Sequence, residues 1–261
     1  MIRVIINADD LGKSPEVNSA IDAFLTKGLI SSSTILANSD CWCEVKEIVK
    51  KHPEASFGVH LNMTEGRALT NSPILHKYGI VDNTNCFTKV IKGTRNFSVE
   101  LQEAIYHEWS EQIRKISITE GISISHIDGH HHVHAIVGLS DVLIRLIQNF
   151  NIPAVRSAYR KPVGYFFSQR CRLFNPFVWK GYLKMMSWRK KIMKEAAMVD
   201  YFDYYETACD DLKRGMRFPD NSVVELMCHP GHPVYTRESS MIGNNVFSSI
   251  INRELISYKH I

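Results

Sequence analysis

The chain has 261 residues and a mass of 29.9 kDa, with 44% hydrophobic and 22% charged residues, a balance that excludes wholesale disorder. Fourteen Gly and nine Pro exclude collagen-like and low-complexity classes, and no apolar run reaches the roughly 18 residues of a membrane helix. The net charge of +4 is uneven: Arg156 to Lys194 carries eleven Lys plus Arg and no Asp or Glu, leaving the rest of the chain at −7. Six Cys, at 41, 43, 86, 171, 209 and 228, form no CxxC and read as reduced thiols. The first residues run straight into Asp9-Asp10, without the longer apolar stretch and small-residue cleavage site of a signal peptide. A cytoplasmic protein is therefore expected.

Arg3 to Ala8 is a β-rich run that ends in Asp9-Asp10-Leu11-Gly12. Ser14 caps the next helix, with Pro15 at its first position. Val17, Ala20, Ile21 and Phe24 form its apolar stripe, and Gly28 closes it. Ser33 to Ala37 reads as a strand, Cys43 to Lys51 as a helix, and Ser56 to Leu61 as a third strand carrying His60. Residues 62–97 are turn-rich and aperiodic, the character of a functional loop or lid. Ser98 to Glu120 reads as a helix stopped by Gly121, Ile122 to Asp128 as a strand, Leu139 to Asn149 as a helix and Pro153 to Arg156 as a strand. A basic, aromatic-rich insert at about 157–195 follows. Val223 to Cys228 is a late strand, and the tail from about Val246 to Tyr258 looks helical. No repeat or linker interrupts this rhythm, so residues 1–261 read as one domain.

Strand, polar loop and helix in alternation argue for an α/β fold with a mostly parallel sheet. Seven or eight parallel strands fit a (β/α) barrel, incomplete or distorted; a doubly wound open sheet is the alternative.

Four apolar runs end in metal-type or acid–base side chains: Val4 to Asp10, Phe57 to His60, Ile124 to His130 and Val224 to His229. In a parallel barrel the carboxyl ends of the strands share one face, which groups Asp9, Asp10, His60, the histidines at 126–134 and His229 into one site. Adjacent carboxylates ordinarily repel and sit solvated; at the end of an apolar strand a bound cation relieves the repulsion. His60 alone reads as a half-buried histidine and gains weight only from the other segments. The histidines at 130–134 cannot all ligate one ion, so some are outer partners or exposed. Pro230-Gly231 is a strong turn signal, and only the strand before it makes His229 a candidate. One Asp with two His suits Zn²⁺, Mn²⁺, Co²⁺ or Fe²⁺ better than Ca²⁺. Such a site polarises a carbonyl and acidifies bound water; a nearby carboxylate can take the proton and a facing histidine can protonate a leaving amine. Together these describe metal-assisted hydrolysis of an amide or ester.

The segments INADDLG (6–12), GVHLNMTEG (58–66), HIDGHHHVH (126–134) and ELMCHPGH (225–232) resemble the YdjC-like carbohydrate deacetylases. The resemblance runs from residue 2 to about 235, and HIDGHHHVH is its most specific string. It implies a barrel-like fold and removal of the acetyl group from an N-acetylated sugar, typically N-acetylglucosamine in a short oligosaccharide. It further implies one divalent ion, Mg²⁺ or Zn²⁺ ahead of Mn²⁺ or Co²⁺, held by Asp10, His60 and His130. Asp9 then matches the general base and His229 the general acid. Arg156 falls where a substrate-contacting arginine is expected. Asp128 is assigned to a pocket histidine's ring nitrogen, and His132 to substrate or to an outer supporting position. Leu11 stands where the family commonly has Phe, an apolar swap.

The basic insert interleaves its cations with aromatics, but Pro162, Gly164, Pro176 and Gly181 prevent one continuous amphipathic helix. It reads first as an excursion over the barrel mouth, then as a membrane-surface element, with nucleic acid last. The expected partner is a small N-acetylated saccharide rather than nucleic acid, and a homodimer is expected. Two competing functions are a metal-dependent phosphoesterase on a similar barrel and a non-catalytic sugar-binding protein.

Overall fold

In the computed structural model, residues 1–157 and 176–261 are described. Seven strands, β1 (Ile2–Leu11), β2 (Ser32–Ile35), β3 (Ser56–Leu61), β4 (Ile127–Gly129), β5 (Tyr201–Tyr204), β6 (Val223–Cys228) and β7 (Arg253–Leu255), form one sheet with every pairing parallel. The order is β4-β3-β2-β1-β6-β5, with β7 beside the start of β1. β7 pairs with Ile2 to Val4, and β2 takes over the same strand from Asn7 onward. Single parallel bridges, Ile127 to Val155 and Ala154 to Ala197, continue the curl between the β4 and β5 edges. The result is a curled, open barrel-like α/β fold, as the strand–loop–helix rhythm predicts.

Side chains on successive residues of a strand point to opposite faces, and here the two faces carry different cores. Val4, Ile6 and Ala8 of β1, Val59 and Leu61 of β3, and Ile127 and Val155 pack outward into the main core with the helices. Ile5, Ala154, Val199, Val223, Ile256 and Tyr258 form a second, smaller cluster. Most of the alternating residues that continue this inner face toward the carboxyl ends are polar: Asn7 and Asp9 on β1, His60 on β3, Asp128 on β4, Arg156, and Glu225 on β6, each 2% exposed or less, with Met227 an apolar exception at the end of β6. Gly58 on the same face has no room for a side chain, because a Cβ there would stand 2.6 Å from the His126 ring.

The helices begin where their caps predict. The Ser14 hydroxyl accepts from Val17 N–H at the start of α1 (Pro15–Thr26), and Ser98 accepts from Leu101 N–H at the start of α4 (Val99–Arg114). α2 (Trp42–Lys51) and α5 (Ser140–Phe150) fall within a residue or so of expectation. The turn-rich stretch at 62–97 holds a short α3 (Pro73–Lys77) and a 3₁₀ turn at Val90–Gly93.

Several expectations are corrected. The helix expected to reach Glu120 stops being α-helical at Arg114 and continues as a π turn over Lys115–Thr119. The strand expected over Ile122 to Asp128 starts only at Ile127, and Pro153 to Arg156 makes isolated bridges rather than a strand. The tail is not one helix: α9 (Val246–Ile250) gives way to β7 and a 3₁₀ turn at Tyr258–His260. β5, α7 (Tyr205–Lys213) and α8 (Thr236–Gly243) were absent from the expected elements.

Of the basic insert expected at about 157–195, residues 158–175 lie outside the described residues, and with them Pro162 and Gly164. The rest forms α6 (Pro176–Ile192), whose Trp188 and Ile192 are buried. Trp188 meets His134 edge-on at 6.0 Å. Among the described residues, no helix is long and apolar enough to cross a membrane.

Candidate active site

The carboxyl end of β1 departs from regular strand geometry. Between Ala8 and Leu11 the chain advances three residues while β2 advances two, from Ser33 to Ile35. That extra residue is a bulge, and Asp10 adopts φ +70°, a left-handed conformation that Asp tolerates better than most side chains. A regular pleat would send Asp9 and Asp10 to opposite faces. The bulge turns both into the barrel mouth, where both line one cavity of about 350 Å³.

His60, His130, His131, His132 and His229 line the same cavity, together with Lys13, Glu65, Tyr204, His232 and Tyr235. Asp10 Oδ1 lies 3.4 Å from His60 Nε2 and 2.9 Å from His130 Nδ1, and the two imidazoles approach to 3.3 Å. The structure thus brings Asp10, His60 and His130 together at one point, three donor atoms from three separate segments. His60 presents Nε2 because Asp128 Oδ1 accepts its Nδ1–H at 2.6 Å, and the Thr34 hydroxyl donates to Asp128 Oδ2 at 3.0 Å. The histidine run turns sharply after β4, with His131 and His132 at φ +51° and +59°, which spreads successive rings around the mouth.

The donor set fits a divalent ion. Asp10 Oδ1 is buried, and what faces it are the ring nitrogens of His60 and His130, themselves potential ligands. Burial opposes charge on His60, yet Asp128 and Asp9 overcome it and raise the imidazole to about 10. The local field attracts positive charge strongly enough to reverse the effect of desolvation. Burial would likewise raise Asp10, but hydrogen bonding to His130 and His60 holds its carboxyl well below the usual range.

Two neighbouring clusters of potential ligands overlap this one, and in each the carboxylates already face a cation. Asp9 and Asp128, which flank His60, are both bound by Arg156. Glu65, which lies near His130 and His131, has Lys13 Nζ 3.1 Å from its Oε2, and the same ammonium stands 3.4 Å from Asp10 Oδ2, bridging this cluster to the first.

Arg156 is fully buried. Its Nη1 and Nη2 donate to the two oxygens of Asp9 at 2.7 and 2.6 Å, Nη1 also lies 2.8 Å from Asp128 Oδ2, and Nε donates to Glu225 Oε1 at 2.8 Å. The expectation of a substrate contact is corrected: Arg156 does not line the cavity, and its donors are occupied by Asp128 and Glu225 behind the wall and by Asp9, which itself lines it. Burial alone would raise the Asp9 carboxyl, and the bidentate guanidinium more than offsets it, holding Asp9 well below the usual carboxylate range.

Across the cavity, His229 follows β6 directly. Its ring stacks on Tyr235 at 4.3 Å and 17°, and its Nδ1 stands 3.7 Å from Glu238 Oε2. Burial lowers it, and Glu238 and Asp9 together raise it above the ordinary histidine value. His132 Nε2 meets the Tyr204 hydroxyl at 2.9 Å, and burial with the charge of Arg156 pushes this ring down to about 4.

Glu65, Lys13, Thr34, Tyr204 and Tyr235 were not singled out from the sequence. Glu65 had a usable signal, since it stands five residues after His60 within GVHLNMTEG. Thr34 had none, because its role depends on the β2–β3–β4 register.

Fold and site together define a (β/α) barrel-like protein with a buried, cation-attracting Asp-His-His cluster at the strand carboxyl ends. The YdjC-like protein family matches residues 3–253, and the chain belongs to it. A relative from Halalkalibacterium halodurans named carbohydrate deacetylase is 26% identical over 233 residues, covering 88% of this chain and 86% of the relative. A Vibrio campbellii protein of the same name is 32% identical over 152 residues, 58% of either chain. The crystal structure of an Enterococcus faecalis V583 protein, provisionally described as a cellobiose-phosphate cleavage protein, superposes with a TM-score of 0.73 at 22% identity. That match covers 99% of this chain and 98% of the other, and it shows the shared fold.

Proposed function

We propose that the chain is a metal-dependent carbohydrate N-deacetylase that removes acetyl groups from N-acetylated sugars, short N-acetylglucosamine oligosaccharides among them, and releases acetate. The observation that carries this reading is the convergence of Asp10, His60 and His130, with Asp9 and His229 lining the same cavity. The relatives named carbohydrate deacetylase support the substrate class.

Asp10, His60 and His130 would hold the ion, which when bound polarises the acetamide carbonyl and acidifies a water. Asp9, kept ionised by Arg156, accepts the proton of the attacking water. A carboxylate with so low a proton affinity is a weak base, and it suits a water that is already acidified. Arg156 also restricts the rotation of Asp9, so the accepting oxygen is aimed before substrate arrives. His229, with its raised proton affinity, donates to the departing amine as the amide C–N bond breaks. Acetate and a free amino sugar are the products.

This reading is favoured over a phosphoesterase, which assembles two or three ions. Both carboxylates of the Asp9–His60–Asp128 cluster are already bound by Arg156, which leaves that cluster no free charge for a second ion. A non-catalytic sugar-binding role leaves the Asp9–His229 pair without a purpose. The test is an acetate-release screen over N-acetylated mono-, di- and trisaccharides with Mg²⁺, Zn²⁺, Mn²⁺ or Co²⁺, with sugar phosphates in parallel. Ion-dependent acetate matched by new amine is expected. Phosphate release without acetate overturns the proposal in favour of the phosphoesterase.

A further inference from the structure

Beneath the cavity floor lies a layer that the reaction does not touch. Glu225 stands two residues before Met227 on β6 and shares its inward face, one step deeper in the barrel. One of its oxygens takes the Nε–H of Arg156 at 2.8 Å, and the other takes the Tyr258 hydroxyl. Tyr258 reaches this point from the opposite end of the barrel. Ile256 N–H donates to Val4 O at 2.9 Å, Tyr258 N–H donates to Ser56 Oγ at 3.1 Å, and the phenol ring stacks on His126 at 3.7 Å and 10°. Tyr258, Glu225, Arg156 and Asp9 are each 2% exposed or less. They form a continuous polar line from the tail to the cavity.

An apolar floor is the less costly solution, because desolvating Asp9, Asp128 and Glu225 around one guanidinium opposes folding. What the polar floor supplies is direction. A guanidinium is planar and rigid, so a partner that fixes its Nε edge also fixes where both η nitrogens point. Those two nitrogens hold the two oxygens of Asp9. Burial pushes Glu225 up to about 7, while Arg156 and the Tyr258 hydroxyl pull against it. The hydroxyl therefore helps Glu225 stay charged and oriented.

We propose that Glu225 and Tyr258 are positioning residues for Asp9, acting through Arg156. A residue of the tail sets the aim of the base from the closed end of the barrel, without reaching the cavity. The proposal rests on the reading of Asp9 as the base.

Tyr258→Phe keeps the ring and its stack and removes only the hydroxyl. Its kcat for acetate release is expected to fall about tenfold, with KM and ion affinity within about twofold of the parent. Glu225→Gln lowers kcat further, and the double variant is no worse than Glu225→Gln alone, since the hydroxyl acts only through that carboxylate. An unchanged kcat in Tyr258→Phe overturns the proposal, as do additive losses in the double variant. A fall in kcat matched by weaker substrate and ion binding also overturns it, because that is general loosening. A second readout is independent of turnover: by NMR, solvent exchange of the Arg156 Nε–H accelerates about tenfold in Tyr258→Phe, while β1 and β3 amides keep their rates. Unchanged Arg156 exchange overturns the positioning role whatever the substrate. Faster exchange in a protein whose parent releases no acetate upholds the positioning of Asp9 and overturns the deacetylase reading instead.

Discussion

Charged groups surround the cavity at two depths, and the two sets are built differently. Behind the strand ends, Arg156, Asp9, Asp128 and Glu225 meet at 2.6 to 2.8 Å with side chains at most 3% exposed. At the mouth, Lys13, Glu65 and Lys89 pair at 3.1 to 4.0 Å with side chains 26% to 68% exposed. The inner set sits on strands and bridges; the outer set sits on the loops that follow them. The same residue types therefore do different work. Inside, each missing partner strands a desolvated charge, and geometry is held tightly. Outside, water replaces any lost partner, and the pairs shape the field more than the structure.

The sharpest way to break this contrast is to remove the inner cation. Arg156→Leu leaves three buried carboxylates without their shared partner, and a loss of about 3–5 kcal/mol is expected in urea unfolding. A loss below about 1 kcal/mol would mean that the inner layer is no more demanding than the rim. Next in size are effects on function. His130→Ala is expected to weaken divalent-ion binding by at least about a hundredfold in equilibrium dialysis. Asp9→Asn is expected to retain the ion and lose turnover. Ion loss in Asp9→Asn would erase the division between holding the ion and moving the proton.

Thr34→Val tests an intermediate case, a buried neutral group that orients Asp128. Ion affinity should fall about tenfold, measured by calorimetry, with little change in fold. At the rim, Glu65→Gln should change stability by less than about 1 kcal/mol. The smallest effect is expected at Asp22, a half-buried carboxyl on α1. Burial raises it, and Lys51 and His52 together more than offset this and lower it below its ordinary 3.8. A lowered carboxyl stabilises above its unfolded value and loses that contribution as pH falls through its folded value. Asp22→Asn should thus lower Tm slightly near neutral pH, and the difference should vanish in acid.

The sequence made parts of this molecule legible for identifiable reasons. β1, β3 and β6 are apolar runs closed by conspicuous residues, so both the strands and their endings stood out. α1 and α4 carry serine caps that define their starts. β5 was missed because its four residues pass into α7 without a turn residue to mark the boundary. The tail was misread because Val246, Phe247, Ile250 and Ile251 repeat at helical spacing, whereas β7 exists only through its pairing with β1. Within the site, the candidate ligands were visible as endings of strands. The buried role of Arg156 was not, since it depends on Asp9, Asp128 and Glu225 arriving from three separate strands. Local pattern shows which residues end a strand; it does not show which ones meet inside it.

The bulge in β1 has a consequence for variation at this site. The inward aim of both Asp9 and Asp10 depends on one surplus residue between Ala8 and Leu11 and on a left-handed backbone at Asp10. Deleting a single residue there would restore the regular pleat and rotate one carboxylate into the oily layer beneath the helices. The spacing of side chains along this strand therefore fixes the aim of both carboxylates as firmly as their identity does.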